Sequence, residues 1–247
     1  MLSRKGQSTL LLVALVLIII GGIYYFYNSS TYSEKSSTST DSISADKGRA
    51  VFAITDAAAD MGSVSEIRLT VKEVQAHSNT ESWTTVSSQS KTYDLLKLKA
   101  DGHLELISDT DLSIGAYNQI RFVVDKVIVV DSEGEHEAKL PSNELKINLD
   151  FEVKENSTST IVLDFIADES LHTTGNDKYI LAPVIQVETR ENAEVDVKSN
   201  NKVEISSGNI KTKVKVGMDI DGNVGLGLKI SKDTKLNLDA KGLVSIG

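Results

Sequence analysis

Gln119-Ile120-Arg121-Phe122-Val123-Val124-Asp125-Lys126-Val127-Ile128-Val129-Val130 decides the fold. Apolar and polar residues alternate up to Val123, and β-branched side chains dominate after Asp125. A pattern of period two, rich in Val and Ile, marks a strand with one buried face. Outward from this segment the same signature recurs. Ala50 to Thr55, Val64 to Val74, Trp83 to Val86 and Thr92 to Leu96 precede it. Leu145 to Val153, Thr160 to Ile166 and Tyr179 to Glu188 follow it. Loops of Asp, Gly, Ser and Asn separate these strands. Short alternating strands at such intervals predict an all-β, immunoglobulin-like β-sandwich. The only prolines here, Pro141 and Pro183, suit uninterrupted strands. Leu95 to Leu106 and Asp168 to Leu171 have room for a turn or two of helix.

The strand pattern starts at residue 48, and what precedes it has another character. Leu10 to Tyr27 carries no charge and ends in Tyr24-Tyr25-Phe26-Tyr27. As a helix it would reach about 27 Å, close to the thickness of a bilayer's hydrocarbon core. Arg4 and Lys5 before it favour a cytoplasmic amino terminus, and the aromatic cluster suits the far interface. A single transmembrane helix contacting lipid through residues 10–27, with everything after it outside the cell, is the expectation. Asn28 to Lys47 is a Ser/Thr-rich linker that cannot bury enough apolar surface to fold. The expected organisation is therefore an anchor at 1–27, a linker at 28–47, the sandwich at 48–190 and a hairpin region at 191–247.

That last region holds an internal repeat. Asp219-Ile220-Asp221-Gly222-Asn223-Val224-Gly225-Leu226-Gly227 matches Asp239-Ala240-Lys241-Gly242-Leu243-Val244-Ser245-Ile246-Gly247. Each unit reads as strand, tight turn, strand, and Ser199-Asn200-Asn201 marks a third turn. A small β-meander follows, with Lys211, Lys213 and Lys215 on its wet face. Asp219 does not open an EF-hand, because Val224 and Ile230 stand where that loop needs Gly and Glu.

The 247 residues include four His and no Cys, and the net charge is −9. Without thiols there is no disulfide framework and no thiolate metal site. Residues 48–194 hold 13 basic and 26 acidic side chains, a net −13. Such a domain repels nucleic acid, so none is expected as a partner. His77, His103, His136 and His172 read as scattered loop residues without ligand spacing. The acidic groups Asp56/Asp60, Asp109/Asp111 and Asp164/Asp168/Glu169 are the chemistry that calcium or acid–base catalysis would ask for. In so acidic a domain the solvated-surface reading outweighs both. No catalytic site, metal or cofactor is expected. Trp83 reads as core. Asn28 and Asn156 open Asn-x-Ser/Thr sequons, glycosylation candidates on the side expected to be outside.

Two stretches resemble known sequences. Thr55-Asp56-Ala57, the Val64–Val74 strand, Trp83, Tyr93-Asp94-Leu95-Leu96 and Gly115-Ala116-Tyr117-Asn118-Gln119-Ile120-Arg121 come in an order that resembles the family catalogued as domain of unknown function 4382. Leu140-Pro141-Ser142, Leu163-Asp164-Phe165 and Tyr179-Ile180-Leu181-Ala182-Pro183-Val184 continue the likeness. Ala58 departs from the family's usual Pro, and Ile166 from a usual second Asp. The resemblance implies an extracytoplasmic sandwich of archaeal and bacterial surface proteins, and no known activity. Tyr117 reads as a corner tyrosine whose hydroxyl holds a neighbouring loop. Separately, Lys5-Gly6-Gln7-Ser8-Thr9 before the apolar run resembles the class III signal peptides of archaeal pilin-like proteins. That likeness implies cleavage between Gly6 and Gln7 and a helix that packs inside a filament, although Leu11 replaces the usual Glu. The functional expectation is a non-enzymatic surface binding or structural module, with a pilin-like filament subunit as the alternative.

Overall fold

A computed structural model describes residues 46–57 and 61–247. The anchor, the linker up to residue 45, Gly6, Gln7, Asn28 and Asp60 lie outside the described residues, and Lys47, the last linker residue, already belongs to the first strand. Among the described residues no helix is long and apolar enough to cross a membrane.

Alternation builds two sheets. Strand β8 (Glu144–Val153) shows it most cleanly: Leu145, Ile147, Leu149, Phe151 and Val153 are buried and the residues between them are not. The expected long strand is β6 (Gly115–Asp131). It pairs along its length with β2 (Glu66–Ser78), and on its other side with β7 (Gly134–Ala138) and β8. β3 (Ser82–Ser87) and β4 (Lys91–Asp94) share the far edge of β2. These six strands form the first sheet.

The second sheet has eight strands. β1 (Lys47–Asp56) lies between β5 (Leu104–Ser113), antiparallel, and β9 (Thr158–Phe165), parallel. β12 (Val184–Glu191) follows β9. The inner faces of the two sheets share one apolar core, in which Phe52 of β1 meets Phe151 of β8 edge to face at 6.2 Å. Burial of such side chains is worth about 1.5–3 kcal/mol each and dominates the stability of the sandwich.

The carboxy-terminal residues extend this second sheet. β13 (Val195–Val197) and β14 (Lys202–Ile205) form a hairpin that turns at the marked Ser199-Asn200-Asn201 and joins β5. β15 (Asn209–Met218) joins β12, and β16 (Val224–Leu226) closes the hairpin at Asp219–Asn223. β17 (Leu236–Leu238) and β18 (Val244–Ile246) form the second repeat hairpin. Both repeat turns have the same wiring. Asp219 Oδ1 accepts the amides of Asp221 and Asn223, and Asp239 Oδ1 accepts those of Lys241 and Leu243. Gly222 and Gly242 take φ of 82° and 78°, which glycine adopts without steric cost. The hairpins thus stand where the sequence marks them. β13–β14 and β15–β16 join opposite flanks of the large sheet, where β5 and β12 offer open backbone edges, while β17–β18 is a separate two-stranded sheet, so the hairpins do not stack as one meander.

Three other expectations are corrected, and the helix allowed for near residue 95 is present. Tyr179–Glu188 is two elements, β11 (Tyr179–Leu181) and β12, because Pro183 has no N–H to continue a ladder. β11 pairs instead with the short β10 (Leu171–Thr173). The helix expected within 95–106 is α1 (Leu95–Asp101), capped by Asp94 and ended by Gly102 at φ 59°, and the rest belongs to β5. The alternation of β5 is weak: only Leu112 is buried in the main core, with Ile107 partly buried against it. Trp83 lies half-buried on the outer face of the six-stranded sheet, not in the core. Its cross-strand partner His77 points outward too, so the register fixes both. Of the four histidines only His103 is a loop residue: His77, His136 and His172 sit in β2, β7 and β10, with His172 buried.

Candidate functional site

Across the outer face of the six-stranded sheet the register sets polar side chains in a row. Trp83 pairs with His77, His77 with Gln119, and Gln119 with Asn148. One row along, Thr85, Gln75, Arg121 and Lys146 are aligned in the same way. The Arg121 guanidinium lies 3.8 Å from the centre of the Trp83 ring, and the His77 ring meets its edge at 5.0 Å. A cation over an indole face is attracted by the ring quadrupole. His77 Nδ1 is 2.9 Å from Asn118 Oδ1, and Asn118 Nδ2 donates to Asn79 Oδ1 at 2.6 Å. Gln119 Nε2 donates to Asn148 Oδ1.

Beside this row is a groove of about 400 Å³, lined by Gln119, Asn143, Asn148, Lys146 and Asn223 among others. Its far wall is the first repeat turn. That turn is pressed against the Leu140-Pro141-Ser142 bend, where a Cβ on Gly222 would come within 2.7 Å of the Ser142 side chain. The bend itself ends on Ser142, whose hydroxyl bonds the backbone of Glu144 in both directions. Lys146 pairs with Glu144 at 3.2 Å. The groove is therefore amide-rich, with its one cation and one anion facing each other.

The acidic residues singled out in the sequence do not converge. Asp56 is buried on the inner side, where Oδ1 accepts the amide of Ala167 at 3.2 Å and anchors the start of the short helix α2 (Ala167–Ser170). Asp164 sits on the other face of the same sheet, since it pairs with Thr55 while Asp56 pairs with Phe165. It borders a second groove of about 280 Å³ walled by Leu104, Val162 and Ile205. Its Oδ1 is shut off from solvent with no partner, and burial pushes its pKa up, against the smaller pull of the Ala57 amide, Lys99 and Lys213. Asp109 is held by a two-pronged ion pair with Arg49. Asp168 faces Lys232 at 3.6 Å, and Glu169 is bonded by Lys215 and lies near Lys229. Among the described residues no group of three or more His, Asp or Glu could hold a metal ion. Asn156 is exposed in the β8–β9 turn at φ 54°.

Two features were not read from the sequence. Lys211, Lys213 and Lys215 do form a wet face, but each meets an acid across the strand or nearby: Glu191 at 3.3 Å, Glu188 at 3.2 Å, and Glu169. Asp131, His136 and Tyr179 form a brace. Tyr179 donates to Asp131 at 2.7 Å, and His136 Nε2 lies 3.1 Å from the same carboxylate. Asp131 is lowered first by the Tyr179 bond, and Tyr179 is pushed up to about 12, first by that same bond. The bond ties β11 to the β6–β7 hairpin. Only the Asp131–His136 spacing could have hinted at it.

Two facing sheets, one decorated outer face and a hairpin-walled groove define an all-β sandwich module. The chain belongs to the family described as Domain of unknown function (DUF4382), whose profile matches residues 47–183, more than half of the sequence. No curated protein and no solved structure matches it.

Proposed function

We propose that this protein is a membrane-tethered surface module, in which an immunoglobulin-like sandwich is displayed outside the cell to bind or to brace. The carrying observation is the outer face of the six-stranded sheet, where Trp83, His77, Gln119 and Asn148 stand in register beside an amide-lined groove. Polar groups held in line by a rigid sheet are pre-organised for a ligand, and a binder gains from such pre-organisation. The uncharged Leu10–Tyr27, the basic residues before it and the Ser/Thr-rich linker support the tether. The Tyr117 hydroxyl, bonded to the carbonyl of Ser113 four residues upstream, supports the immunoglobulin-like reading. In this reading the protein is not an enzyme, and its partners lie at the cell surface. Protease added to intact cells should remove residues 46–247; a domain protected until the cells are lysed would refute the display.

The second reading, a pilin-like filament subunit, is favoured by Gly6-Gln7 before the apolar run. Amino-terminal sequencing and intact mass of the protein from its native membrane separate the two. A chain starting at Gln7 supports pilin-type processing, and one starting at Met1 leaves a plain signal anchor. Purified surface filaments lacking the protein would sink the filament reading.

A further inference from the structure

We propose that the outer face of the six-stranded sheet binds a neutral glycan chain, laid across the strands from Trp83 to the wall formed by Asn223. This deepens the surface-module reading and rests on it. Three features of the face point to this ligand.

The first is hydrogen-bonding chemistry. Gln119, Asn143, Asn148 and Asn223 border one groove, and each carboxamide carries two N–H donors and a carbonyl acceptor in one plane, of which the Gln119–Asn148 and Asn223–Asp219 bonds use only part. Neighbouring hydroxyls of a sugar ring are also donor and acceptor at once, so a planar amide satisfies them in pairs. An anion would want donors alone, and a cation acceptors alone.

The second is charge. The groove's cation and anion, Lys146 and Glu144, pair with each other at 3.2 Å. Arg121 is laid over Trp83. Arg121 keeps its charge there, but a single cation among amides does not select a charged polymer, and the net −13 of residues 48–194 disfavours a polyanion outright.

The third is shape. Trp83, His77, Gln119 and Asn148 occupy four successive strands, β3, β2, β6 and β8. With neighbouring strands about 4.8 Å apart, the row spans roughly 14 Å, and its last two members, Gln119 and Asn148, line the groove. A site that long and open on a sheet face fits an extended chain better than a compact metabolite. Trp83 has no core role; Arg121 covers one face of its half-buried indole, so the C–H groups of a sugar ring would pack against the apolar surface that the guanidinium leaves exposed. Its position explains an aromatic residue that the interior does not use.

The test uses the full-length chain in lipid nanodiscs. Trp83 is the chain's only tryptophan, so in nanodiscs with a tryptophan-free scaffold, fluorescence excited selectively in tryptophan reports on this face alone. The probes are hexasaccharides of glucose, N-acetylglucosamine and mannose, with dextran sulfate as the charged control. We expect saturable change with at least one neutral hexasaccharide, and none with dextran sulfate. Asn148→Ala and Asn143→Ala each remove an exposed amide, and each should weaken binding about tenfold at unchanged melting temperature. Trp83→Ala, read by calorimetry, should abolish it. Silence toward all three neutral hexasaccharides, response to dextran sulfate alone, or wild-type affinity in both Asn variants would overturn the proposal. Protease access on intact cells is read independently. A displayed domain that ignores sugars refutes the glycan and leaves the display standing.

Discussion

Tyr117→Phe should destabilise the sandwich by about 1–1.5 kcal/mol, the net value of one hydrogen bond whose acceptor then loses its partner. Tyr117 is buried in β6, with its ring stacked on Phe151 at 4.9 Å and its hydroxyl donating to Ser113 at 3.0 Å. Ser113 ends β5 in one sheet and Gly115 begins β6 in the other. The hydroxyl therefore clamps the corner where the chain crosses between sheets. Phe keeps the ring and its stacking and removes only the clamp. Tyr117→Ala removes both and should cost about 3–5 kcal/mol, the usual cost of truncating a buried aromatic. Burial first, and the Glu81 charge second, raise the phenol's pKa, so the bond is intact throughout the neutral range. Urea unfolding of residues 43–247, the compact unit, is the assay. The midpoint should fall while the slope stays fixed, and the melting temperature should drop roughly 2–4 °C per kcal/mol. If Phe matches the wild type while Ala is strongly destabilised, the ring alone matters and the corner argument is wrong.

Three further substitutions test other parts of the fold. Gly217→Ala would put a Cβ 2.0 Å from the carbonyl oxygen of Leu228, two backbones that cannot both yield, so a loss at or above the usual 1–3 kcal/mol for overpacking is expected in the same urea assay. Asp164→Asn should raise stability at neutral pH. Burial raises the folded-state pKa of Asp164, so its stabilising effect is full below the unfolded value near 3.9 and is lost as pH rises through the folded one. The stability gap between variant and wild type should therefore widen as pH rises through that window, and a gap that does not change with pH would show that the carboxyl is not desolvated. Trp83→Ala should cost about 1 kcal/mol or less, against about 3–5 kcal/mol for Phe52→Ala, since only the second opens a core cavity; equal losses would put Trp83 back in the interior.

The strands with clean alternation were legible because burial of one face imposes period two directly on the residues. β8 and β6 are the clearest cases. β5 was not legible, because its outer apolar residues Leu104 and Leu106 are covered only by a hairpin about ninety residues later, β13–β14. No local pattern announces a lid that far along the chain. The turns of the repeat were legible to the residue, because an Asp side chain bonding two amides ahead of a left-handed Gly is local chemistry. Their destination was not, since edge pairing with β12 depends on which strand is left open. Of the site, the amides and Trp83 were all in view, yet only the register shows that they share a face.

The family profile stops at Pro183, one residue before β12, and the structure argues that the folding unit does not. β12 lies between β9 and β15, and Ile185 and Val187 complete the inner face beside Leu163 and Phe165. β15 adds Val216 and Met218 to the same core. Losing these four buried side chains forfeits roughly 6–12 kcal/mol of burial, at about 1.5–3 kcal/mol each. That is comparable to the whole 5–15 kcal/mol by which a domain is stable. Cutting there also leaves β9 as a bare edge carrying Ile161, Leu163 and Phe165, the kind of strand that pairs with other chains. Residues 47–183 expressed alone should therefore aggregate or remain unfolded, while residues 43–247 give a monomeric species with dispersed amide resonances. A folded, monomeric 47–183 fragment would show that β12 and β15 are additions to a finished sandwich. The expected failure would mean that the carboxy-terminal hairpins, which also supply the Asn223 wall of the groove, are part of what makes the domain fold.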